Sequence, residues 1–600
     1  MEASHLSDAP PDAPVAATAT TGAAWRSLCK WAGRIVPLLC LAAILVPYGI
    51  IQSRYIVRAF GETDPNGYLL TARAIATGQP VTFSADDPFR FQDHTWVENH
   101  RGALVSKFSP GYPLVLGLVR RVFGDDAMFV VNPVLGGLTL IGLYLLFRLW
   151  MSALAALLAT GTFSASLLFL FYAAFPLTHT LDVCVTTWGM YALWKWSRTP
   201  SRGSAIGAGL LCGFAVAVRH VNVLLVLPVL AAVAGHAWQS WRGRTRLHRS
   251  ALILGAAYAL PLLLLAAYQW RHFGSPLTSG YSLAGEQGSI HWNYFTNRFP
   301  RYIGAMHGYL GWPFLFGAFA LLLTGGVKDR CMRLLWVLPP LVLYSCYYWE
   351  QHWFQWNLRF ILPTLAVYYG AAFAWLDQDR LRGFNVVALV AFCFLSIRFG
   401  GVVMHISPAR ALLDPTVTRE SAETRTFLRT VLETLPPDAG ILADSPAAFY
   451  LAARRQYTVY DLRAFDRAAS QAHFRPPRRP DEAARMQPAR TAYFQEFYAD
   501  HSQAELTRMQ REVVDALLAD ATRVFAIVAP DRAEREQATL GPAYTWTRLD
   551  IDPPSKPLGV YEVVRASAGL EGIDVQAATR QHRSTSPDYG ETWMIPHAAP

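Results

Sequence analysis

A succession of apolar segments, each close to the length of a membrane span, occupies most of the chain between residues 35 and 404. An α-helix needs about 20 mostly apolar residues to cross a bilayer. Segments that meet this condition lie near residues 35–57, 127–149, 153–174, 179–196, 204–219, 222–239, 250–270, 309–325, 333–348, 359–376 and 384–404. The pattern predicts a polytopic α-helical membrane protein with about 11 transmembrane helices.

The distribution of basic residues predicts how these helices are oriented. Residues 1–410 carry 31 Lys and Arg against 17 Asp and Glu, whereas residues 411–600 carry 22 against 26. The basic residues of alternate connections are Lys195, Arg198, Arg202, Arg242, Arg244, Arg246, Arg249, Lys328, Arg330, Arg333, Arg380 and Arg382. Loops rich in Lys and Arg stay on the cytoplasmic side. We therefore expect a cytoplasmic N-terminus and an extracytoplasmic C-terminal part.

The chain divides into a membrane domain, a C-terminal domain and two tails. Residues 1–24 are rich in Ala, Pro and Thr and are predicted to be a disordered cytoplasmic tail. The membrane domain covers residues 25–408 and includes a long first outer loop, residues 58–126. That loop contains two predicted helices, Tyr68–Ile75 and the amphipathic segment Tyr112–Phe123, which is expected to lie along the membrane surface.

Residues 409–570 alternate between helical and strand patterns and predict an extracytoplasmic α/β domain, followed by a loose tail at 571–600. The helical candidates are Thr418–Thr434 and Asp481–Leu518. The strand candidates are Gly440–Ala443, Tyr457–Tyr460, Arg523–Ala529, Tyr544–Leu549 and Gly559–Val564.

Acidic residues are scarce in the membrane part, and carboxylates at a membrane edge are candidates for function because burying them is costly. Asp64 lies just beyond the first span, one helical turn before Tyr68. It is either a general base for an attacking hydroxyl or the N-cap of the helix that follows. Asp182 begins another span, with His179 before it, and the same two interpretations, functional carboxylate and helix cap, are open for it.

Basic residues occur at four positions on the predicted outer side, where positive charge should be rare. They are Lys107, Arg219, Arg271 and Arg359. A shared anion such as a phosphate would explain the set, because Lys and Arg are the usual phosphate partners. Snorkelling to lipid headgroups would explain any one of them alone.

The first outer loop could bind a divalent cation, although the sequence does not require one. The polar residues there are Asp86, Asp87, Asp93, His94, Glu98 and His100. Carboxylates and imidazoles bind divalent cations, but the spacing matches no established metal motif, and solvated loop charge is the alternative. The sequence contains no nucleotide-binding motif and no pattern that indicates a nucleic-acid partner.

Five short motifs, in order and on one predicted face, resemble those of the GT-C glycosyltransferases. The similarity is to the bacterial branch related to protein O-mannosyltransferases and the lipid A aminoarabinose transferase, and it covers roughly residues 30–405. The motifs are Thr63–Tyr68, Lys107–Pro113, Asn132–Thr139, Phe273–Tyr281 and Arg359–Pro363. The segment around Asp182 is similar to the setting of a second family aspartate. Thr63 departs from many members, which have an acidic residue next to the catalytic one.

The resemblance implies a GT-C fold in a bacterial inner membrane and a polyprenyl-phosphate sugar as donor. The acceptor would be a lipid, glycan or protein hydroxyl on the outer face, attacked with inversion. In this family Asp64 would be the catalytic carboxylate, with Asp182 as a second one. Lys107 would contact the lipid phosphate. The residues expected around these groups are Tyr68, Arg219, Arg271, Arg359 and His179.

Two other classes of function stay open at this point. A transporter would place its polar groups at mid-span across an inverted repeat, whereas here they gather at the predicted outer edge. A membrane scaffold without transferase activity, whose C-terminal domain binds a cell-envelope partner, would leave Asp64 and Lys107 replaceable.

Overall fold

The computed structural model describes residues 37–53, 63–87, 89, 95–243, 249–286, 290–347, 354–378, 385–400, 427–428, 430–444, 458–473, 489–521, 523–551 and 558–566. The predicted tails, residues 1–24 and 571–600, lie outside these residues, as do Asp93 and His94.

Sixteen helices make up the described membrane part. They are α1 (Pro37–Ser53), α2 (Thr63–Thr77), α3 (Gly111–Phe123), α4 (Ala127–Phe147), α5 (Ala153–Ser164), α6 (Leu167–Ala174), α7 (Thr178–Arg198), α8 (Arg202–Val218), α9 (Val226–Trp241), α10 (Ser250–Phe273), α11 (Gly280–Leu283), α12 (Phe295–Leu310), α13 (Trp312–Leu323), α14 (Val327–Ser345), α15 (Leu362–Leu376) and α16 (Asn385–Gly400). A helix therefore occupies each of the segments predicted as spans.

Four of the described helices are long and apolar enough to cross a membrane by themselves, and the number rises to six when each bent helix pair counts as one span. The first pair, α5 and α6, bends by 63°. The second pair combines Trp292–Leu310 with α13 and bends by 116°. Gly311 adopts φ +60° at this second break, a conformation that favours glycine. The segments predicted as spans at 153–174 and 309–325 are thus not straight helices.

Small residues bring the central helices close together. On α8, a side chain at Gly209 or Gly213 would collide with the backbone of α10. On α7, Gly189 lies in the same way against Cys212 of α8. Helices in a membrane gain most from close van der Waals packing, which small residues spaced by four permit. The resulting bundle places the ends of α7, α8, α10, α14 and α15 side by side.

One end of the bundle carries residues that the charge pattern assigns to the cytoplasm. Arg198 lies 3.6 Å from Asp329, and Lys328 donates to the carbonyl oxygen of Ser197. Arg333 is 2% exposed and donates to both oxygen atoms of Thr324. The opposite end carries the basic residues that the sequence assigns to the outer side.

The first outer loop is a folded unit rather than a simple connection. Between α2 and α3 it contains a three-stranded antiparallel sheet in the order β1 (Thr82–Ser84), β3 (Ala103–Ser106), β2 (Trp96–Glu98). Val97 and Val105 of this sheet pack with Phe273 and Ala284, which ties the loop to the end of α10. The two helices lie where the sequence predicts them, whereas the sheet was not predicted.

The C-terminal part contains a five-stranded sheet in the order β5-β4-β6-β8-β7. The strands are β4 (Gly440–Ala443), β5 (Thr458–Asp461), β6 (Val524–Val528), β7 (Tyr544–Arg548) and β8 (Gly559–Arg565). Strands β4, β5 and β6 are parallel, and β8 runs antiparallel to both β6 and β7. All five residues of β6 are buried, as expected for a central strand covered on both faces. The strands match the five predicted ones within two residues.

The helices beside this sheet correct one prediction. They are α17 (Arg467–His473), α18 (Ala489–Asp500), α19 (Gln503–Asp520) and α20 (Pro530–Leu540). The prediction of a single helix over Asp481–Leu518 is wrong, because helix α18 ends at Asp500 and a new helix, α19, begins at Gln503. Ser502 and Glu505 form a capping box there, in which each side chain accepts a hydrogen bond from the other residue's backbone N–H.

The first outer loop also contacts the C-terminal sheet region. The ring of Phe89 lies 4.5 Å from that of Phe465 and 5.9 Å from that of Phe497, between centroids. Next to it, the Tyr460 hydroxyl donates to the Asp87 carboxylate. Phe89 is 5% exposed and belongs to the apolar core of the sheet region. The loop that connects α2 to α3 is therefore anchored at a second point outside the helix bundle.

Candidate active site

Arg219 is the centre of a buried polar network at the predicted outer end of the bundle. It follows α8, and its guanidinium lies 2.9 Å from His179 Nδ1 and donates to the Tyr344 hydroxyl over 2.9 Å. The same group lies 3.6 Å from the Asp182 carboxylate. Because the guanidinium is planar with five donors, it can engage His179 and Asp182 on α7 and Tyr344 on α14 at once.

Asp182 lies inside this network and is 1% exposed. Its Oδ1 accepts a hydrogen bond of 2.6 Å from Asn222 Nδ2, which also donates to the Ala215 carbonyl oxygen. A cavity of about 20 Å³ adjoins the carboxylate, space for about one water molecule. A buried charge needs a partner of opposite sign. Arg219 is that partner for the Asp182 carboxylate.

Lys107 is the second buried cation, and it is 7% exposed. Its ammonium forms an ion pair of 2.7 Å with Glu286 Oε1, and the Tyr347 hydroxyl donates to Glu286 Oε2 over 2.8 Å. The ring centroids of Tyr344 and Tyr347 lie 6.1 Å apart, which connects this ion pair to the network around Arg219. We call the residues of both groups the polar cluster; its members are Lys107, Glu286, Tyr347, Tyr344, Arg219, His179 and Asp182.

Tyr68 connects the predicted catalytic helix to the polar cluster. Its ring stacks on that of Phe108 with 4.3 Å between centroids, and Phe108 is the residue after Lys107. Helix α2 begins at Thr63, so the backbone of Asp64 lies in its first turn. The helix that carries Asp64 is therefore packed directly on the segment that carries Lys107.

His220, the residue after Arg219, holds the Lys107 segment in place. Its Nδ1 lies 2.9 Å from Ser109 Oγ and its Nε2 lies 2.9 Å from Gln269 Nε2. The imidazole thereby links the segment after β3 to helix α10. Ser109 and Gln269 are more than 150 residues apart, so no local sequence signal points to this link.

The remaining predicted residues divide into two groups. Arg359 lies beside the polar cluster, because its backbone carbonyl accepts a hydrogen bond of 3.4 Å from Arg219. The guanidinium carbon of Arg359 lies 5.0 Å from the centroid of the Phe360 ring. Arg271 instead lies exposed in the last turn of α10. Within the described part of the chain, no contact joins Arg271 to Lys107 or Arg219.

The residues considered for a divalent cation are mostly engaged elsewhere. The Asp86 carboxylate accepts from Ser84, and the Asp87 carboxylate accepts from Tyr460. His100 Nε2 accepts a bond from Arg101. Among the residues whose positions are described, no group of three or more His, Cys, Asp and Glu side chains is placed to hold a metal ion.

Replacing Gly280 by alanine is expected to lower any activity that depends on Lys107 by about tenfold or more, since displacements near 1 Å can cost this much. A Cβ at Gly280 would overlap the Lys107 backbone, which cannot rotate away as a side chain can. The measurement is the rate, per folded protein, of the sugar transfer that the motif resemblance leads us to expect.

The matched control is Gly207→Ala, where the nearest atom lies 3.7 Å from the added carbon in ordinary contact. Equal rates for both variants and the wild type would contradict the idea that the Lys107 segment needs this close approach.

Comparison with known proteins agrees with this architecture. Residues 107–266, about a quarter of the chain, match a family model described as dolichyl-phosphate-mannose-protein mannosyltransferase. The chain resembles the crystal structure of ArnT from Cupriavidus metallidurans bound to undecaprenyl phosphate, with a TM-score of 0.54 and 14% identity. That match covers 90% of this chain and 100% of ArnT. No curated protein sequence matches the chain.

Two further solved structures are similar at lower scores. The Archaeoglobus fulgidus oligosaccharyltransferase in complex with Zn and sulfate has a TM-score of 0.46 and 13% identity, over 86% of this chain and 72% of that one. The arabinofuranosyltransferase AftD from mycobacteria has a TM-score of 0.46 and 14% identity, over 88% and 41%. At these identities the ArnT match establishes the fold, and with the family match it confirms the resemblance to the GT-C glycosyltransferases.

Proposed function

From the GT-C fold of this chain, we propose that the protein is a membrane glycosyltransferase that moves a sugar from a polyprenyl-phosphate donor to an acceptor hydroxyl. The reaction takes place on the outer face of a bacterial inner membrane, with the C-terminal sheet region extracytoplasmic. The acceptor is a lipid, a glycan or a protein. The undecaprenyl phosphate named in the ArnT structure supports a lipid-phosphate donor.

The observation that carries the proposal is the stacking of Tyr68 on Phe108. The stack joins helix α2, whose first turn contains the backbone of Asp64, to the segment of Lys107. A carboxylate and a buried ammonium on two packed segments are the parts needed to deprotonate an acceptor and to bind an anionic leaving group. Both segments lie at the end of the bundle that the charge pattern assigns to the outside.

In the proposed mechanism Asp64 acts as general base. It takes the proton of the acceptor hydroxyl while the hydroxyl oxygen attacks the anomeric carbon of the sugar. The bond between that carbon and the phosphate oxygen breaks, the anomeric configuration inverts, and polyprenyl phosphate leaves. The phosphate is a good leaving group at neutral pH, so no strong general acid is required.

Lys107, Arg219 and Arg359 bind the phosphate and stabilise the charge that develops on it. Asp182 and His179 act on the substrate through Arg219, whose guanidinium they orient. Arg271 is left out of this set because it is exposed and lies outside the described contacts of the polar cluster.

The proposal is tested by incubating the purified protein in lipid with a panel of polyprenyl-phosphate sugars and candidate acceptors. We expect release of polyprenyl phosphate with at least one donor, and no transfer of sugar to the acceptor when the same sugars are carried on nucleotide diphosphates. The productive donor also identifies the sugar. Failure to turn over or to bind any lipid-linked donor would favour a scaffold or a transporter, and vesicle flux of the intact lipid would distinguish these two.

A further inference from the structure

Lys107 already has a counter-ion in the structure. Its ammonium lies 2.7 Å from Glu286 Oε1, and the exposed fractions of the two side chains are 8% and 17%. Charged groups removed from water to this extent depend on each other, because an unpaired buried charge is expensive. A phosphate cannot take Lys107 as its partner without displacing or repelling this carboxylate.

Glu286 is held in position by contacts that do not involve the Lys107 side chain. The Tyr347 hydroxyl donates to its second oxygen over 2.8 Å, from the chain segment that follows α14. Glu286 itself lies shortly after α11, whose first residue, Gly280, packs against the Lys107 backbone. The carboxylate thus faces Lys107 from an independently fixed segment.

We propose that Glu286 is the counter-ion that the donor phosphate displaces from Lys107, and that it returns to Lys107 when polyprenyl phosphate leaves. The inference rests on the proposed function, since it takes Lys107 as the phosphate ligand. It adds a role for a residue outside the family motifs: Glu286 sets the affinity for the lipid phosphate and promotes product release.

Competition explains both effects. Glu286 stabilises the free protein by pairing with Lys107, so phosphate binding gains only the difference between two ion pairs. Once the phosphate is bound, the carboxylate next to it repels it, because like charges at short range destabilise each other. Lys107 keeps an anionic partner before, during and after the reaction. The carboxylate therefore weakens substrate binding and speeds the departure of the product.

The test is the affinity for undecaprenyl phosphate in detergent micelles. We expect Glu286→Gln to bind it about five- to tenfold more tightly than the wild type, because the competing charge is gone while the shape is kept. The kcat for transfer should fall along with KM, since the product leaves more slowly. In a Lys107→Gln background the same substitution should increase the affinity by a smaller factor, because the ion pair no longer exists and only the direct repulsion between Glu286 and the phosphate is relieved.

The matched control is Glu562→Gln. Glu562 forms an ion pair of 2.6 Å with Arg523 in the C-terminal sheet, so it has the same chemistry at a distant place. Its replacement should leave the affinity for undecaprenyl phosphate unchanged. Should Glu286→Gln fail to fold, Tyr347→Phe removes the hydroxyl that holds Glu286 and is expected to act in the same direction, with a smaller gain in affinity.

Unchanged or weaker binding by Glu286→Gln, or by Tyr347→Phe where it replaces that variant, would overturn the inference. If the wild type binds undecaprenyl phosphate and transfers sugar but the variants bind it no more tightly, only the role of Glu286 fails. If the wild type neither binds undecaprenyl phosphate nor turns over any donor, the proposed function fails instead.

Discussion

Asp64→Asn is expected to lower the rate of sugar transfer by about a thousandfold while the protein folds normally, because general base catalysis contributes on the order of 10²–10⁴. Asparagine keeps the size and polarity of the side chain at the first turn of α2 but cannot accept the proton of the acceptor. The measurement is polyprenyl phosphate release by purified protein in lipid. Donor binding should be retained, since the phosphate partners are untouched.

The control for this experiment is Asp126→Asn, which neutralises an exposed carboxylate elsewhere in the same outer loop. It should transfer sugar at the wild-type rate. A folded Asp64→Asn protein with full activity would exclude Asp64 as the base and leave it as a residue of the helix terminus.

Arg219→Lys is expected to reduce transfer by about a hundredfold, the effect of losing one donor that stabilises transition-state charge. The charge is kept, but an ammonium has no planar fork and cannot reach Tyr344, His179 and the phosphate together. The loss should appear in both kcat and donor affinity. It is measured by steady-state kinetics with the productive donor.

Arg333→Lys is the matched control for this substitution. Arg333 is also buried and lies roughly 16 Å from Tyr344 along helix α14. Its replacement should lower the thermal stability without changing the rate per folded molecule. Comparable losses of activity in the two variants would indicate that Arg219 acts through stability alone.

Interactions within short stretches of chain account for what the sequence predicted well. Helices occupy the predicted spans because an apolar segment that forms a helix makes its backbone hydrogen bonds within itself, while its side chains contact lipid or other helices. The five C-terminal strands could be located because β-branched and aromatic residues cluster between turns. The break at Ser502 was also encoded locally, in the Ser-x-x-Glu pattern of a capping box, but the helical pattern on both sides obscured it.

The motif residues were predictable in identity but not in their partners. The sequence singled out Lys107 and Arg219, and the structure brings both into the polar cluster. Arg271 is also a basic residue on the predicted outer side, yet its side chain is exposed. The sequence does not show which basic residues at the ends of spans face the interior of the bundle. Successive side chains are rotated by about 100° around a helix, so the orientation of the helix in the bundle decides which of them face inward.

Hydropathy, charge bias and short motifs are local properties, so the kind of fold, the expected face of the site and the Asp64 and Lys107 motifs could be predicted from the sequence alone. The packed structure was needed to find that Glu286 pairs with Lys107 across 179 residues, that His220 links Ser109 to Gln269, and that Asp182 faces Arg219. These contacts join segments distant in the chain, and their energies exist only after the helices have packed. The physical reason is that a buried ion pair needs two groups desolvated together, a condition that no single segment can meet.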